Sequence, residues 1–372
     1  MILHICEDNR FAAMAKNQFD SLDKNRHIYL INSSTDYLSY FSIENNVIIK
    51  KGGTKDHLSF VKSRNWEAII FHNCNQKYKW QIINQISENT KIIWLSWGSD
   101  IYMLPKFRNK LYKKETQRLL NRINSKIFNL DYISRIVLGK YKKQIKAYNR
   151  IDYCAPVIKQ DLELINGEYN LKIKLANFSY GDLKYYLGKD IEKTIAGNNI
   201  LIGNSADFSN NHVEAFDLIK DIKLNNSKII VPLSYGGNTR YSEEVQKIGR
   251  KLLSNDFNPL TNLIPLDDYR ELLFSCSVAI MNHTRQQALG NIIMLLWMGV
   301  KIFFDESNPV YLHFINNNIL VYKTTEIIGM RDSFLKPMNK EGVINNRKGL
   351  LVLYSKKSVE AKTKEVVSLI DL

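Results

Sequence analysis

The sequence predicts an α/β protein built from two doubly wound, parallel-sheet halves, and three observations carry that prediction. Short apolar stretches alternate with helical or mixed stretches of about 10 to 20 residues, the spacing of parallel strands with crossovers rather than of a meander. The rhythm runs through the first half of the chain and restarts near residue 199. At 372 residues the chain is long for a single core, so two domains are expected.

Taken in order, the strands of the first half are "MILHIC", "HIYLIN", "NVIIKK", "EAIIFHN", "KIIWLSW", "DYCAPV" and "LKIKLANF". Those of the second are "NILIG", "KIIVPLSYG", "TNLIPL", "SVAIMNH", "VKIFFDE" and "ILVYK". Between the halves, residues 179–198 are polar, hold three glycines and lack a clear period, which reads as a linker. The expected domains are therefore 1–180 and 181–354, both Rossmann-like. An amphipathic helix over about 355–372 closes the chain and is expected to pack back on the first domain.

Composition narrows the class. A hydrophobic fraction of 45% and a mean hydropathy of −0.27 suit an ordinary globular protein. No run reaches the ~18 apolar residues of a membrane-spanning helix, and "MILHICEDNR" places acids where a signal peptide carries bases. A cytoplasmic protein is expected. Cys6, Cys74, Cys154 and Cys276 lie far apart with no metal or redox spacing, so they read as reduced core residues.

The net charge of +15 is uneven. Residues 105–150 hold fourteen Lys or Arg against Glu115 and Asp131, a local +12. Phe107, Leu111, Leu119, Leu120, Ile123 and Ile127 recur there at helical spacing. A basic amphipathic helix is expected, suited to an anionic lipid surface or to nucleic acid. Tyr112 and Tyr141 are interleaved with the bases, yet the stretch carries no known nucleic-acid motif.

Open α/β sheets bind ligands beyond the carboxyl ends of their strands, and the polar residues concentrate there. Two such sheets are expected to face across a cleft. In "NILIGNSADFSNNH", Gly203 suits a tight turn, Asn204, Ser205 and Asp207 offer donors and acceptors, and Ser209 or Asn210 can cap the helix carrying Val213, Phe216 and Ile219. In "VPLSYGGNTRY" the strand end presents Tyr235, with Tyr241 beyond, to stack on a base. In "MNHTRQQALGNIIMLLWMG" Arg285, Gln286 and Gln287 precede an apolar helix whose N-terminus, with the arginine, suits a diphosphate. In the first half, Glu7 and Asp8, His72 and Asn73, and Trp97, Gly98 and Asp100 follow successive strands. Asp100, then Asp8, then His72 are the candidate general bases.

The sequence has no GxGxxG, no GxxxxGK[ST], no GxSxG and no HExxH. It also lacks an Asp-x-Asp pair, so the charge of a leaving group would be met by amides and Arg285 rather than by a metal.

"LSWGSDIY", "ILIGNSADFSNNHVEAF", "IIVPLSYGGNTRYSEEV" and "TRQQALGNIIMLLWMGVKIFFDESNPVY", in this order and spacing, resemble glycosyltransferase family 56. The resemblance runs from the first strand to about residue 325 and is concentrated in the second half. It implies a GT-B fold, a dTDP-sugar donor held mainly by the C-terminal domain, and an undecaprenyl-diphosphate-linked glycan acceptor at the inner membrane face. It also implies stereochemical inversion, with no cofactor beyond the donor. On the family pattern, donor contacts fall to Gly203, Asn204, Ser205, Asp207, Ser209, Asn210, His212, Arg285, Gln286, Gln287, Gly290 and Asn308, the last followed by Pro309. Ser307 stands where the family pattern has a glutamate, with Glu306 one place earlier. The basic helix gains a membrane-facing role through Lys106, Arg108, Lys110, Lys113, Lys114 and Arg118, each adding about 1 kcal/mol near an anionic surface. The expected protein is an inverting, metal-independent transferase, peripheral on the inner face of the plasma membrane. A nucleotide-sugar epimerase of the same fold and a basic lipid- or nucleic-acid-binding module are the alternatives.

Overall fold

A computed structural model of the chain describes residues 1–51, 53–108, 110–123, 139–224, 226–330 and 333–371. The chain divides into two units. Unit 1 comprises Met1–Phe107, Tyr132–Asp182 and Lys356–Leu372, and unit 2 comprises Arg108–Asp131 and Leu183–Ser355.

Unit 1 is built on seven parallel strands: β1 Ile2–Glu7, β2 His27–Asn32, β3 Val47–Lys50, β4 Ala68–His72, β5 Lys91–Leu95, β6 Tyr153–Ala155 and β7 Lys174–Leu175. Their order is β3-β2-β1-β4-β5-β6-β7. Successive strands step outward in opposite directions from β1 and β4, so the ligand crevice expected of a doubly wound sheet lies at the carboxyl ends of these two. β1 and β4 are buried over nearly their whole length, which is why they read as continuous apolar runs rather than alternating ones. The C-terminal helix Lys356–Asp371 lays Val366 and Ile370 against Ile2, Phe19 and Phe178. Its end is tied by a hydrogen bond from Lys91 Nζ to the Leu369 carbonyl at 2.9 Å.

Unit 2 carries β8 Asn199–Ile202, β9 Ile229–Pro232, β10 Phe257–Leu260, β11 Cys276–Met281, β12 Lys301–Phe304 and β13 Tyr322–Lys323. All pairings are parallel and the order is β10-β9-β8-β11-β12-β13. Here the switch falls between β8 and β11. The helix Leu289–Met298, apolar nearly all round, is buried on nearly all sides, as its composition requires.

Three expectations need correction. The stretch "TNLIPL" is not a strand; β10 is the preceding Phe257–Leu260, where Pro259 is tolerated because β10 is the sheet edge. Residues 179–198 are not a bare linker, since they hold the helix Leu183–Leu187 with both leucines buried. The basic helix is broken: Pro105–Arg108 and Lys114–Ile123 are separate helices, and Lys126, Ile127 and Arg135 lie outside the described residues. The four cysteines are buried and unpaired, as expected.

Candidate functional site

At the carboxyl end of β8 the chain turns at Gly203 with φ +66°, and a Cβ there would come within 2.7 Å of Asn210 Oδ1. Only glycine accepts both conditions. Asn210 binds the loop from within: its Oδ1 accepts from Asn204 N at 3.2 Å, and its Nδ2 donates to the carbonyls of Ser205 (3.0 Å) and Asp207 (3.1 Å). The loop after β9 is seated directly against it. Ala206 N donates to the Tyr235 carbonyl at 2.7 Å, and a Cβ on Gly237 would sit 2.0 Å from the Ala206 carbonyl oxygen.

The loop after β11 completes the arrangement. Gln287 Nε2 donates to Asn204 Oδ1 at 2.6 Å, and Gln287 Oε1 lies 2.7 Å from Ser209 Oγ. Arg285 Nε donates to the same Ser209 oxygen at 3.0 Å, and its guanidinium lies 3.7 Å from the Asp207 carboxylate. The arginine is 17% exposed and Asp207 37%. Past Gln287 the chain passes through Ala288 at φ 58° into the helix Leu289–Met298, whose first turn has no capping side chain. Its first amides have no intrahelical partner and carry the positive end of the helix dipole. Side chains from three loops thus converge on a concentration of donors beside an arginine, an arrangement suited to a multiply charged oxyanion. Tyr235, half exposed, has its hydroxyl 3.4 Å from Asn204 Nδ2.

Asn204, Ser205, Asp207, Ser209, Arg285 and Gln287 are therefore brought together, and Gln286, 6% exposed, contributes its carbonyl to Arg285 Nη1 at 3.2 Å. Other expected donor contacts act differently. Ser209 and Asn210 do not cap the next helix; Asp207 caps the short turn Phe208–Asn210, and the helix His212–Ile219 starts from Asn211 at φ 49° with no side-chain cap. His212 is fully buried, with Nδ1 3.0 Å from the hydroxyl of the equally buried Tyr241, so neither ring is open to a ligand. Burial holds the His212 pKa down at about 4. A Cβ on Gly290 would face the Tyr186 ring at 3.1 Å, so this glycine serves packing. Asn308 is buried, caps the helix Pro309–Ile315 through Val310 N at 2.9 Å, and holds His283 Nδ1 at 2.7 Å.

Of the basic segment, the described residues between 108 and 123 belong to unit 2, and residues 105–107 and 139–150 belong to unit 1. Glu214 caps the helix Lys114–Ile123, accepting from the amides of Glu115 (2.8 Å) and Thr116 (2.9 Å). Leu119 and Leu120 enter the core that contains Phe216 and Tyr241. The apolar face is thus covered by protein, and the helix cannot lie apolar side down in a bilayer. Lys113 turns inward, with its ammonium on Asp305 and 3.3 Å from Asn282 Oδ1. Lys106 is tied to the Glu168 carbonyl at 2.5 Å and lies over the Tyr169 ring. Arg108 is half-buried, while Lys110, Lys114 and Arg118 remain on the surface.

In unit 1 the first-choice base is corrected. Asp100 has no exposed surface; its Oδ2 accepts from Cys74 N (3.0 Å) and Trp94 Nε1 (2.7 Å), and its Oδ1 from Trp97 N (3.1 Å). Burial raises its pKa, and the hydrogen bonds oppose that rise. The carboxylate holds the β4 and β5 loops together and presents no lone pair to a substrate. His72 is likewise withdrawn as a base. It ends a buried chain in which His72 Nε2 meets His4 Nδ1 at 3.0 Å and His4 Nε2 meets His27 Nδ1 at 2.9 Å. Desolvation, then the nearby Lys79 ammonium, lowers its pKa to about 3. Asp8 is partly exposed and accepts from Ser39 N (2.5 Å) and Tyr40 N (3.0 Å). Glu7 beside it is engaged by the Tyr78 hydroxyl at 2.7 Å and by Lys79 at 2.9 Å.

Sequence reasoning missed Asn211, Asn282, His283 and Asp305, which follow β8, β11 and β12. Position just past a strand end was the available signal. Among the described residues, no three His, Cys, Asp or Glu are grouped to hold a metal, and no helix is long and apolar enough to cross a membrane.

Residues 184–335 match the family model described as 4-alpha-L-fucosyltransferase, glycosyl transferase group 56. This stretch contains every donor-loop residue above. Among solved structures, a glycosyltransferase from Rickettsia africae superposes with a TM-score of 0.61 at 12% identity, covering 99% of this chain and 98% of its own. Sucrose-phosphate synthase from Thermosynechococcus elongatus gives 0.64 at 7%, covering 100% and 99%. A UDP-forming alpha,alpha-trehalose-phosphate synthase from Burkholderia vietnamiensis gives 0.62 at 8%, covering the full length of both chains. At these identities the structures establish the fold, which is GT-B; the chain is a glycosyltransferase, similar to group 56 over residues 184–335 of its second unit.

Proposed function

We propose that the protein is an inverting, metal-independent transferase moving a dideoxy-acetamido-type sugar from a dTDP-sugar to an undecaprenyl-diphosphate-linked oligosaccharide in surface polysaccharide synthesis. The observation that carries this reading is the convergence of Arg285, Ser209, Gln287 and Asn204 at the open N-terminus of Leu289–Met298, inside the stretch matched to group 56. In the reaction the acceptor oxygen bonds to the anomeric carbon as the bond from that carbon to the diphosphate oxygen breaks. The acceptor's proton passes to a base, and the nucleoside diphosphate leaves with the bonding pair. Arg285 and the helix amides stabilise the charge gathering on the leaving diphosphate. Tyr235 stacks on the base, its exposed ring suiting a planar ligand. Asp8, the partly exposed carboxylate at the carboxyl end of β1, takes the proton.

The test is calorimetric titration of dTDP, UDP and GDP into the protein in the presence of EDTA, alongside Arg285→Ala. We expect dTDP to bind in preference to the others. Loss of a charge-assisted contact of about 1.5–3 kcal/mol should weaken it by roughly 10- to 100-fold in the variant. No binding of any nucleotide, or equal binding by the variant, would overturn the assignment.

A further inference from the structure

Segment 110–116 is laid across the carboxyl edge of the second sheet at its switch point. Lys113 N donates to Asn211 Oδ1 at 2.9 Å, and Asn211 Nδ2 donates back to the Leu111 carbonyl at 3.2 Å. Thr284 Oγ1, just past β11, donates to the Leu111 carbonyl at 3.2 Å, and Asn282 Nδ2 reaches the Asn211 carbonyl at 3.1 Å. With Glu214 on the amides of Glu115 and Thr116, the segment is seated at both ends. These contacts fix where Lys113 points. Its ammonium lies on Asp305, the first residue after β12, and beside Asn282, the first after β11.

A lysine ammonium has three protons. Asp305 and Asn282 take two of them, and the side chain keeps 31% of its surface exposed while Asp305 keeps 10%. The carboxylate therefore anchors an ammonium that is still partly exposed and has one proton not engaged by these two partners. Tyr112, adjacent in the chain, stacks edge-on against Phe208 at 6.3 Å and feels the charges of both Asp207 and Arg285. The buried His283 ring feels Arg285, Asp207 and Asp305. Thr284, which holds the Leu111 carbonyl, adjoins Arg285 in the chain. Asn211, which holds Lys113, also donates to the carbonyl of Ser209, whose hydroxyl accepts from Arg285. Lys113 and Arg285 thus border one region at the β8–β11 switch point, where a ligand is expected.

We propose that Lys113 is a second phosphate-binding cation of the donor site, supplied by a segment that precedes the rest of unit 2 in sequence by about 70 residues and held ready by Asp305. The inference rests on the nucleotide-sugar reading above and adds to it the residue that, with Arg285, selects a diphosphate over a nucleoside. Asp305 restrains a flexible side chain before the ligand arrives, which lowers the entropy lost on binding.

The experiment compares dTDP with thymidine, by calorimetry and ligand-observed NMR, on the wild type, Lys113→Arg, Lys113→Met and the double variant Lys113→Met/Asp305→Asn. The double variant removes both charges and so leaves no unpaired carboxylate to unsettle the fold. We expect dTDP affinity to fall at least tenfold in Lys113→Met and in the double variant, thymidine affinity to stay within twofold, and Lys113→Arg to keep most of the dTDP affinity. Unchanged dTDP affinity in the double variant would overturn the proposal, as would parallel loss of dTDP and thymidine, which would make Lys113 a tether only. A wild type that binds neither ligand would remove the nucleotide-sugar reading itself, and this inference with it. Normal wild-type binding with an indifferent double variant would remove this inference alone.

Discussion

Asp8 and Asp100 both follow a strand of the first sheet, yet their surroundings assign them opposite tasks. Asp100 is enclosed and accepts three hydrogen bonds from Cys74, Trp94 and Trp97. In Asp100→Asn an amide would face donors at the position of Oδ2 or Oδ1, so the expected effect is a loss of stability on the order of 3 kcal/mol, measured as a lower denaturation midpoint. Asp8 retains solvent access while two backbone amides hold its orientation. For Asp8→Asn we expect turnover to fall by about 100-fold or more, the usual range for losing a general base, with little change in donor affinity. Near-normal turnover by folded Asp8→Asn would remove it from the mechanism. The difference between these aspartates could not be seen in sequence. It arises because Trp94 and Cys74 reach Asp100, whereas the amides that reach Asp8 come from a surface loop.

The first sheet holds histidines whose protonation is coupled to folding. β1, β2 and β4 place His4, His27 and His72 in one buried chain. Desolvation depresses the His27 pKa to about 4 and that of His72 to about 3, and it lowers His4 well below its usual value. An unfolded histidine takes up a proton near pH 6.5. Below that pH the unfolded chain binds protons that the native sheet refuses. Native stability is therefore full above about pH 6.5 and falls as the pH drops toward 4, by up to about 1.4 kcal/mol per pH unit for each histidine. Urea midpoints measured from pH 7.5 to 4.5 should show this slope, and His72→Gln should flatten it. A flat profile for the wild type would show that the chain is not neutral in the native state. The helix Lys114–Ile123 teaches a related lesson. Its spacing of leucines was legible, but the partner of that apolar face, the core around Phe216 and Tyr241, was not.

For the whole molecule, the excess of 52 Lys and Arg over 37 Asp and Glu makes contact with an anionic surface the expected physical behaviour. Lys110, Lys114 and Arg118 lie on the surface, Arg118 beside Glu115, while Lys113 is held on Asp305. Binding to phosphatidylglycerol vesicles should be strong at low ionic strength and fall steeply with salt, since exposed charges are screened within about 10 Å at 0.1 M. Equal sedimentation with neutral and anionic vesicles would count against a membrane-facing role. Residue periodicity by itself determined two parallel α/β halves, the buried helix after Gln287, and the polar loops that end β8, β9 and β11, because each of these is set by which side chains along a short stretch are apolar or need a tight turn. Only the tertiary structure decided which polar residues at those ends stay open to a ligand and which are engaged within the protein. That choice depends on partners distant in the chain, such as Asn211, 98 positions from the Lys113 amide it holds, and Gln287, 83 positions from Asn204. The hydrogen bonds between them form only after the second sheet has placed its strand ends side by side.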